Sequence, residues 1–157
     1  MNFLAIFGAE YLIFIIIILG FGIFIKKPAQ IKREMIIFAF FTLPIIFIIS
    51  RICAALYFNP RPFVAENFTA LIPHQSNNGF PSDHTLLSSA IAMIIWQFNR
   101  KKGLILLALA LMVGLARVYV GVHHYLDIFT SLIISIVAVL FVQQFIWPMV
   151  KHYALKK

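Results

Sequence analysis

The stretch Leu12-Ile13-Phe14-Ile15-Ile16-Ile17-Ile18-Leu19-Gly20-Phe21-Gly22-Ile23-Phe24-Ile25-Lys26-Lys27 decides the fold class. Its apolar run begins at Phe3, is interrupted by one acidic residue, Glu10, and ends on a lysine pair. A run over 3–25 exceeds the ~20 residues that carry a helix across a ~30 Å hydrocarbon core. It has no basic leading region and is longer than a signal-peptide core, so it is expected to be a retained span.

Four further apolar segments follow, at 35–58, 84–98, 103–120 and 125–147. The one at 84–98 reaches only ~22 Å at 1.5 Å per residue, so its outer end is expected to sit below the outer surface. Of 157 residues, 62% are hydrophobic and 11% charged, and the mean hydropathy is +0.98. A soluble domain carries roughly 25% charged residues. A compact chain of this length cannot hide so much apolar surface, so its solvent is lipid.

The formal charge of +8 is not that of a nucleic-acid binder, because the positions decide. Ten of the 13 Lys and Arg residues fall in three clusters beside apolar runs: Lys26, Lys27, Lys32 and Arg33; Arg100, Lys101 and Lys102; Lys151, Lys156 and Lys157. This is the pattern of cytoplasmic loops. With all three inside, the parity of about five crossings puts the N-terminus outside and the C-terminus inside. Loops 59–83 and 121–124 then lie outside, and the longer is rich in Pro, Asn and Gly. The expectation is an all-α, polytopic transmembrane helical bundle, a single domain over 1–157. Cys53, the only cysteine, reads as a small apolar residue. Tyr11, Tyr57, Tyr119 and Tyr125 read as interfacial anchors.

Arg51, Arg61 and Arg117 fall outside those clusters, in or at the outer ends of spans. Charge near hydrocarbon is costly and marks function. With few carboxylates nearby, the expected partner is an anionic ligand, and the guanidinium fork suits phosphate. Glu10 is either a partner for one arginine or an interfacial residue.

Three stretches meet on that side: Asn59-Pro60-Arg61-Pro62-Phe63, Phe80-Pro81-Ser82-Asp83-His84-Thr85, and Arg117-Val118-Tyr119-Val120-Gly121-Val122-His123-His124-Tyr125-Leu126-Asp127. His123 and Asp127 are four apart and share a helix face. A carboxylate on one imidazole nitrogen fixes the tautomer and frees the other to attack. Arg117 precedes them across a turn marked by Gly121. Ser82 stands before a helix whose free N–H groups favour an anion, and it also reads, with Asp83, as an N-cap. His84 in the first turn can protonate a leaving oxygen.

These stretches resemble the type 2 phosphatidic acid phosphatase superfamily, whose pattern is Lys-x6-Arg-Pro, Pro-Ser-Gly-His, then Ser-Arg-x5-His-x3-Asp. Arg61-Pro62, then Pro81, Ser82 and His84, then Arg117, His123 and Asp127 match in order and spacing, and the likeness covers about residues 51–127. Ala54 stands where the family has lysine, and Arg51, one turn earlier, is the candidate for that charge. Asp83 replaces the glycine and either repels substrate or caps the helix and orients a basic neighbour. Ala116 replaces the serine. Within the superfamily, Phe80-Pro81-Ser82-Asp83-His84-Thr85, Pro60-Arg61-Pro62-Phe63 and Leu71-Ile72-Pro73-His74 are similar to the undecaprenyl-diphosphatase branch, of which this would be a shortened form.

The resemblance implies cofactor-free, metal-independent hydrolysis of a lipid phosphate or diphosphate. His123 forms a phosphohistidine steadied by Asp127, and His84 protonates the leaving group and then activates water. Arg61, Arg117 and the Ser82 region hold the phosphoryl oxygens, with Arg51 and Asp83 as further substrate contacts. The expected substrate is undecaprenyl diphosphate, met at the outer face of a bacterial inner membrane in the service of cell-wall synthesis. Phosphatidylglycerophosphate, phosphatidic acid and lipid A stay open as alternatives. A transporter or a non-catalytic scaffold are the readings from other classes. His74 and His124 carry no assigned role.

Overall fold

The computed structural model describes residues 2–154, and Lys156 and Lys157 of the third basic cluster lie outside them. Among the described residues every regular element is helical: α1 (Asn2–Glu10), α2 (Leu12–Ile25), α3 (Ala29–Leu56), α4 (Pro62–Ala65), α5 (Asp83–Phe98), α6 (Arg100–Tyr119), α7 (Tyr125–Phe141), a π turn (Val142–Ile146) and α8 (Trp147–Ala154). An antiparallel bridge joins Pro60 to Asn78 in the long loop.

Among the described residues three helices are long and apolar enough to cross a membrane: Ala29–Leu56, Arg100–Tyr119 and Tyr125–His152. The pair Asn2–Glu10 and Leu12–Ile25 makes a fourth if taken as one span bent by 48°. α5, with 16 residues, reaches only ~24 Å. It is the hub of the bundle, packing most extensively on α6 and also on α7, α2 and α3. Its outer neighbours, rather than its own length, keep it in place.

The apolar pattern is inverted relative to a soluble domain. Phe3, Phe14, Phe21, Phe40, Phe47 and Phe145 are exposed, whereas Thr42, Ser50, Thr85, Ser88, Ser89, Ser131 and Ser135 are buried. Buried hydroxyls generally find a local partner, and Ser88 Oγ is the exception among these serines and threonines, with none among the described residues. Thr42 donates to Phe38 O (2.7 Å), and Ser89 to Thr85 O (2.7 Å) and to Ser135 Oγ (2.8 Å), a contact between α5 and α7. This is the surface of a membrane protein, with small polar residues gluing its helices together.

Several boundaries differ from the sequence expectation for identifiable reasons. The first segment is not one straight helix but breaks at Tyr11. α3 begins at Ala29 because Pro28 supplies the N-cap position, so Lys32 and Arg33 are helical rather than in a loop. α6 begins at Arg100, where the Asn99 side chain accepts from Lys102 N (3.0 Å). The last segment passes through a π turn just before Pro148, whose missing N–H and ring clash disrupt the regular ladder.

Two ends result. At one, Phe38, Phe98 and Trp147 form an edge-to-face cluster, and Lys151 pairs with the buried Glu34 (3.8 Å). Lys26, Lys27, Arg100, Lys101 and Lys102 flank the same end. At the other end, the C-termini of α3 and α6 meet the N-termini of α5 and α7.

Candidate active site

That second end holds a cavity of about 410 Å³ lined by residues from both loops and from three helices, α3, α5 and α6. α5 and α7 are tied at their starts, which sets its walls. Ser82 N donates to Asp127 O (3.3 Å), and Ser131 Oγ donates to Ser82 O (2.9 Å). α6 ends at Tyr119, and the chain turns at Gly121 with φ +85°, a conformation L side chains rarely adopt. The turn delivers His123 into the cavity one residue before the N-cap of α7.

His123 is 3% exposed and Asp127 fully buried. His123 Nδ1 donates to Asp127 Oδ2 (3.1 Å), the contact their spacing implied. Asp127 also accepts from His124 N (2.9 Å) and, at Oδ1, from Asn59 Nδ2 (2.7 Å). The other ring nitrogen of His123 faces Arg61 Nη1 at 3.2 Å. Arginine can only donate, so Nε2 presents its lone pair and the proton sits on Nδ1. Burial pushes His123 below the ordinary histidine value. The hydrogen bond to Asp127 opposes this, and Arg117 and Arg61 add to it. The ring is held neutral, with its free nitrogen toward the cavity.

Arg61 is itself buried and built in: Nε donates to Asn77 Oδ1 (3.0 Å) and Nη1 to Val122 O (2.8 Å). Burial lowers its pKa, and Asp127 and then Asp83 oppose this. It remains a cation, as arginine does in proteins. Arg117 donates through Nη2 to His74 Nε2 (2.8 Å) and through Nη1 to Ala9 O (3.4 Å), while its buried Nε has no partner among the described residues. Glu10 acts on Arg117 electrostatically, but no ion pair joins them. Neither Arg61 nor Arg117 is in an ion pair with a carboxylate among the described residues.

The cavity therefore brings together Arg61, Arg117, His84 and His123, and adds Arg51 and Asp83 at its rim. Arg51 Nη2 meets Asp83 Oδ1 at 2.6 Å, and both side chains are largely open. Ala54, on the same face of α3, also lines the cavity. Two candidates stand behind the wall. Ser82 is fully buried, and its hydroxyl accepts from Thr85 N (3.5 Å) and Thr85 Oγ1 (3.2 Å), which is the work of an N-cap. Asp127 reaches the cavity only through His123.

Two wall residues, Asn77 and Asn78, were not singled out by sequence reasoning, and His74, named there without a role, also lines the wall. His74 is pushed down to about 4, chiefly by burial and then by Arg61 and Arg117, so it stays neutral and accepts from Arg117. Its place in the Leu71-Ile72-Pro73-His74 run was the available signal. Asn78 Oδ1 accepts from Asn59 N (3.0 Å) and Phe80 N (3.0 Å), and its amide donates to Tyr57 O (3.0 Å), which folds the loop over the site. His124 lies outside the cavity and donates through Nε2 to Pro60 O (3.0 Å).

The chain is similar to several known proteins. A bacitracin transport permease protein BcrC of Bacillus licheniformis is 34% identical over 143 residues, 90% of this chain and 70% of that protein. An undecaprenyl-diphosphatase BcrC of Bacillus subtilis (strain 168) is 34% identical over 132 residues, 84% of this chain and 68% of that protein. The crystal structure of Aquifex aeolicus LpxE superposes with a TM-score of 0.66 at 24% identity, covering 90% of this chain and 81% of that one, and so shares the fold. The family model of the PAP2 superfamily matches residues 37–151. With that match across most of its length, this chain belongs to the PAP2 superfamily.

Proposed function

We propose that this chain is a metal-independent lipid phosphatase that hydrolyses undecaprenyl diphosphate to undecaprenyl phosphate and phosphate through a phosphohistidine on His123. The observation that carries the reading is His123 with its Nδ1–H donated to Asp127 and its Nε2 lone pair facing Arg61, in a cavity where two buried arginines, Arg61 and Arg117, lack carboxylate partners among the described residues. A buried cation without a counter-ion calls for an anion. Undecaprenyl diphosphate, rather than another phospholipid, is the substrate class that the name of the Bacillus subtilis relative carries.

The chemistry follows from the side chains. Nε2 of His123 attacks the terminal phosphorus, and the developing imidazolium is stabilised by Asp127 through Nδ1. Arg61 gives up its hydrogen bond to Nε2 and, with Arg117, turns to the phosphoryl oxygens. His84, across the cavity, protonates the departing lipid phosphate and then takes a proton from the water that cleaves the phosphohistidine. The substrate and one water are consumed; the lipid monophosphate and inorganic phosphate leave. No cofactor enters this scheme.

The proposed topology is one domain over 1–157 with five crossings, the N-terminus outside and the C-terminus inside, in a bacterial inner membrane. The lysine- and arginine-rich end supports an inside location, so the cavity at the opposite end faces outward. Phosphatidylglycerophosphate, phosphatidic acid and lipid A are the competing substrates. The transport reading, which the name of the Bacillus licheniformis relative carries, is disfavoured because a few spans without an evident repeat make a poor transporter.

Phosphate release from each lipid by the purified protein in EDTA tests the proposal. His123→Ala is expected to lower turnover more than about a thousandfold. Full activity in His123→Ala, or activity abolished by EDTA and restored by metal, would sink it.

A further inference from the structure

Arg51 and Asp83 form an ion pair at the rim, and the cavity floor below them is built differently. Arg61, Arg117 and His123 are 6%, 3% and 3% exposed, whereas the side chains of Arg51 and Asp83 are 46% and 74% exposed. Asp83 faces a second space as well: an apolar groove of about 360 Å³ between α3 and α5, walled by Leu43, Ile46, Phe47, Leu86, Leu87 and Ala90. The order of surroundings is thus a buried cationic floor, an open ion pair, then hydrocarbon. A lipid diphosphate has the same order of parts: terminal phosphate, lipid-side phosphate, chain. With the terminal phosphorus against His123 and the chain in the groove, the lipid-side phosphate has only the rim to occupy.

We propose that Arg51 is the residue that makes this site select lipid diphosphates over lipid monophosphates, by holding the lipid-side phosphate as it becomes the leaving group. The inference rests on the lipid-phosphatase reading. The phosphorus–bridging oxygen bond breaks as the His123 nitrogen–phosphorus bond forms, and the electron pair leaves with the bridging oxygen. Negative charge therefore grows on the lipid-side phosphate, beside the guanidinium. In a monophosphate the leaving group is the alcohol oxygen, and no phosphate stands at the rim for Arg51 to hold.

Arg51 is placed for this without being free to drift. Nη2 is on Asp83, Nε faces Ser50 Oγ at 3.3 Å, and the guanidinium carbon lies 5.6 Å from the centre of the Phe47 ring. Nη1 has no partner among the described residues and can donate to a phosphate while Nη2 stays on Asp83. Ala54, the next turn of α3 on the cavity side, is short enough to leave the space open. Asp83, largely in water, steers the arginine when the site is empty and costs little if the pair loosens.

The test uses the full chain in nanodiscs with farnesyl diphosphate and farnesyl monophosphate, two substrates with one hydrocarbon chain. The readout is the ratio of kcat/KM on the first to kcat/KM on the second. Arg51→Ala is expected to lower that ratio by at least about tenfold, the loss of a charged hydrogen bond. Arg51→Lys should fall between, and Asp83→Asn should keep a ratio well above that of Arg51→Ala. Inhibition provides a readout independent of turnover: Arg51→Ala should weaken methylenediphosphonate more than inorganic phosphate. An unchanged ratio in Arg51→Ala, or a loss in Asp83→Asn as deep as in Arg51→Ala, overturns the inference and leaves the lipid-phosphatase reading standing. Failure of the unsubstituted protein to hydrolyse either substrate overturns both.

Discussion

Asn59 donates to Asp127 Oδ1 at 2.7 Å, so the carboxylate that orients His123 is itself held from the opposite loop. Asn59→Ala is expected to lower kcat by about 5- to 100-fold, since a buried acceptor loses its donor, with a smaller change in KM. Steady-state kinetics of the purified variant check this, and an effect on KM alone would contradict it. The pH profile offers a second check. Burial first, and the neighbouring arginines next, hold His123 below 6.5, so the neutral nucleophile persists as pH falls. The acid limb of kcat/KM assigned to His123 should therefore lie below pH 6.5, the ordinary histidine value. The sequence spacings along three short stretches named Arg61, His84, Arg117 and His123, which line one cavity, and Asp127, which stands behind His123. They gave no role to Asn59, His74, Asn77 and Asn78, because loop geometry assembles these: the Asn78 amide bridges Asn59 and Phe80 across the chain.

Helix contacts decide where those residues stand. α5 and α6 approach most closely near Gly103, where any added Cβ would overlap the backbone of Trp96, which cannot yield as a flexible side chain would. Gly103→Val is expected to destabilise the bundle by roughly 1–3 kcal/mol through overpacking, read as a lower midpoint in thermal unfolding in detergent. An unchanged midpoint would mean that the two helices are free to separate. At this scale the sequence was a partial guide. The start of α5 followed from Ser82, read as its N-cap, whereas α6 starts at Arg100 rather than 103 because Asn99 caps it. The break at Tyr11 was not readable, because uninterrupted isoleucines favour a straight helix. The bend follows contacts instead: Gly8 of α1 packs against Ala116, and Gly20 of α2 against Ile91. The π turn was in principle readable from Pro148.

For the molecule in its membrane, the separation of a basic end from the end that holds the cavity is the central property. In a Cys53→Ser background, a cysteine placed at Gln75 should react with a membrane-impermeant maleimide added outside intact cells. One placed at Lys101 should react only after permeabilisation. The reverse pattern would invert the topology and point the cavity inward. Composition alone established the membrane class, and the lysine and arginine clusters supplied the orientation expected here. Three helices of spanning length, and a fourth from the bent pair, leave α5 as the crossing that length alone does not support. The shortness of α5 has a consequence for traffic. On the proposed topology its first turn, bearing Asp83 and His84, is sunk toward the acyl region, with the apolar groove beside it. The two products would then part by different routes: inorganic phosphate rising into water through the mouth, the lipid slipping laterally into the leaflet without its tail ever leaving oil.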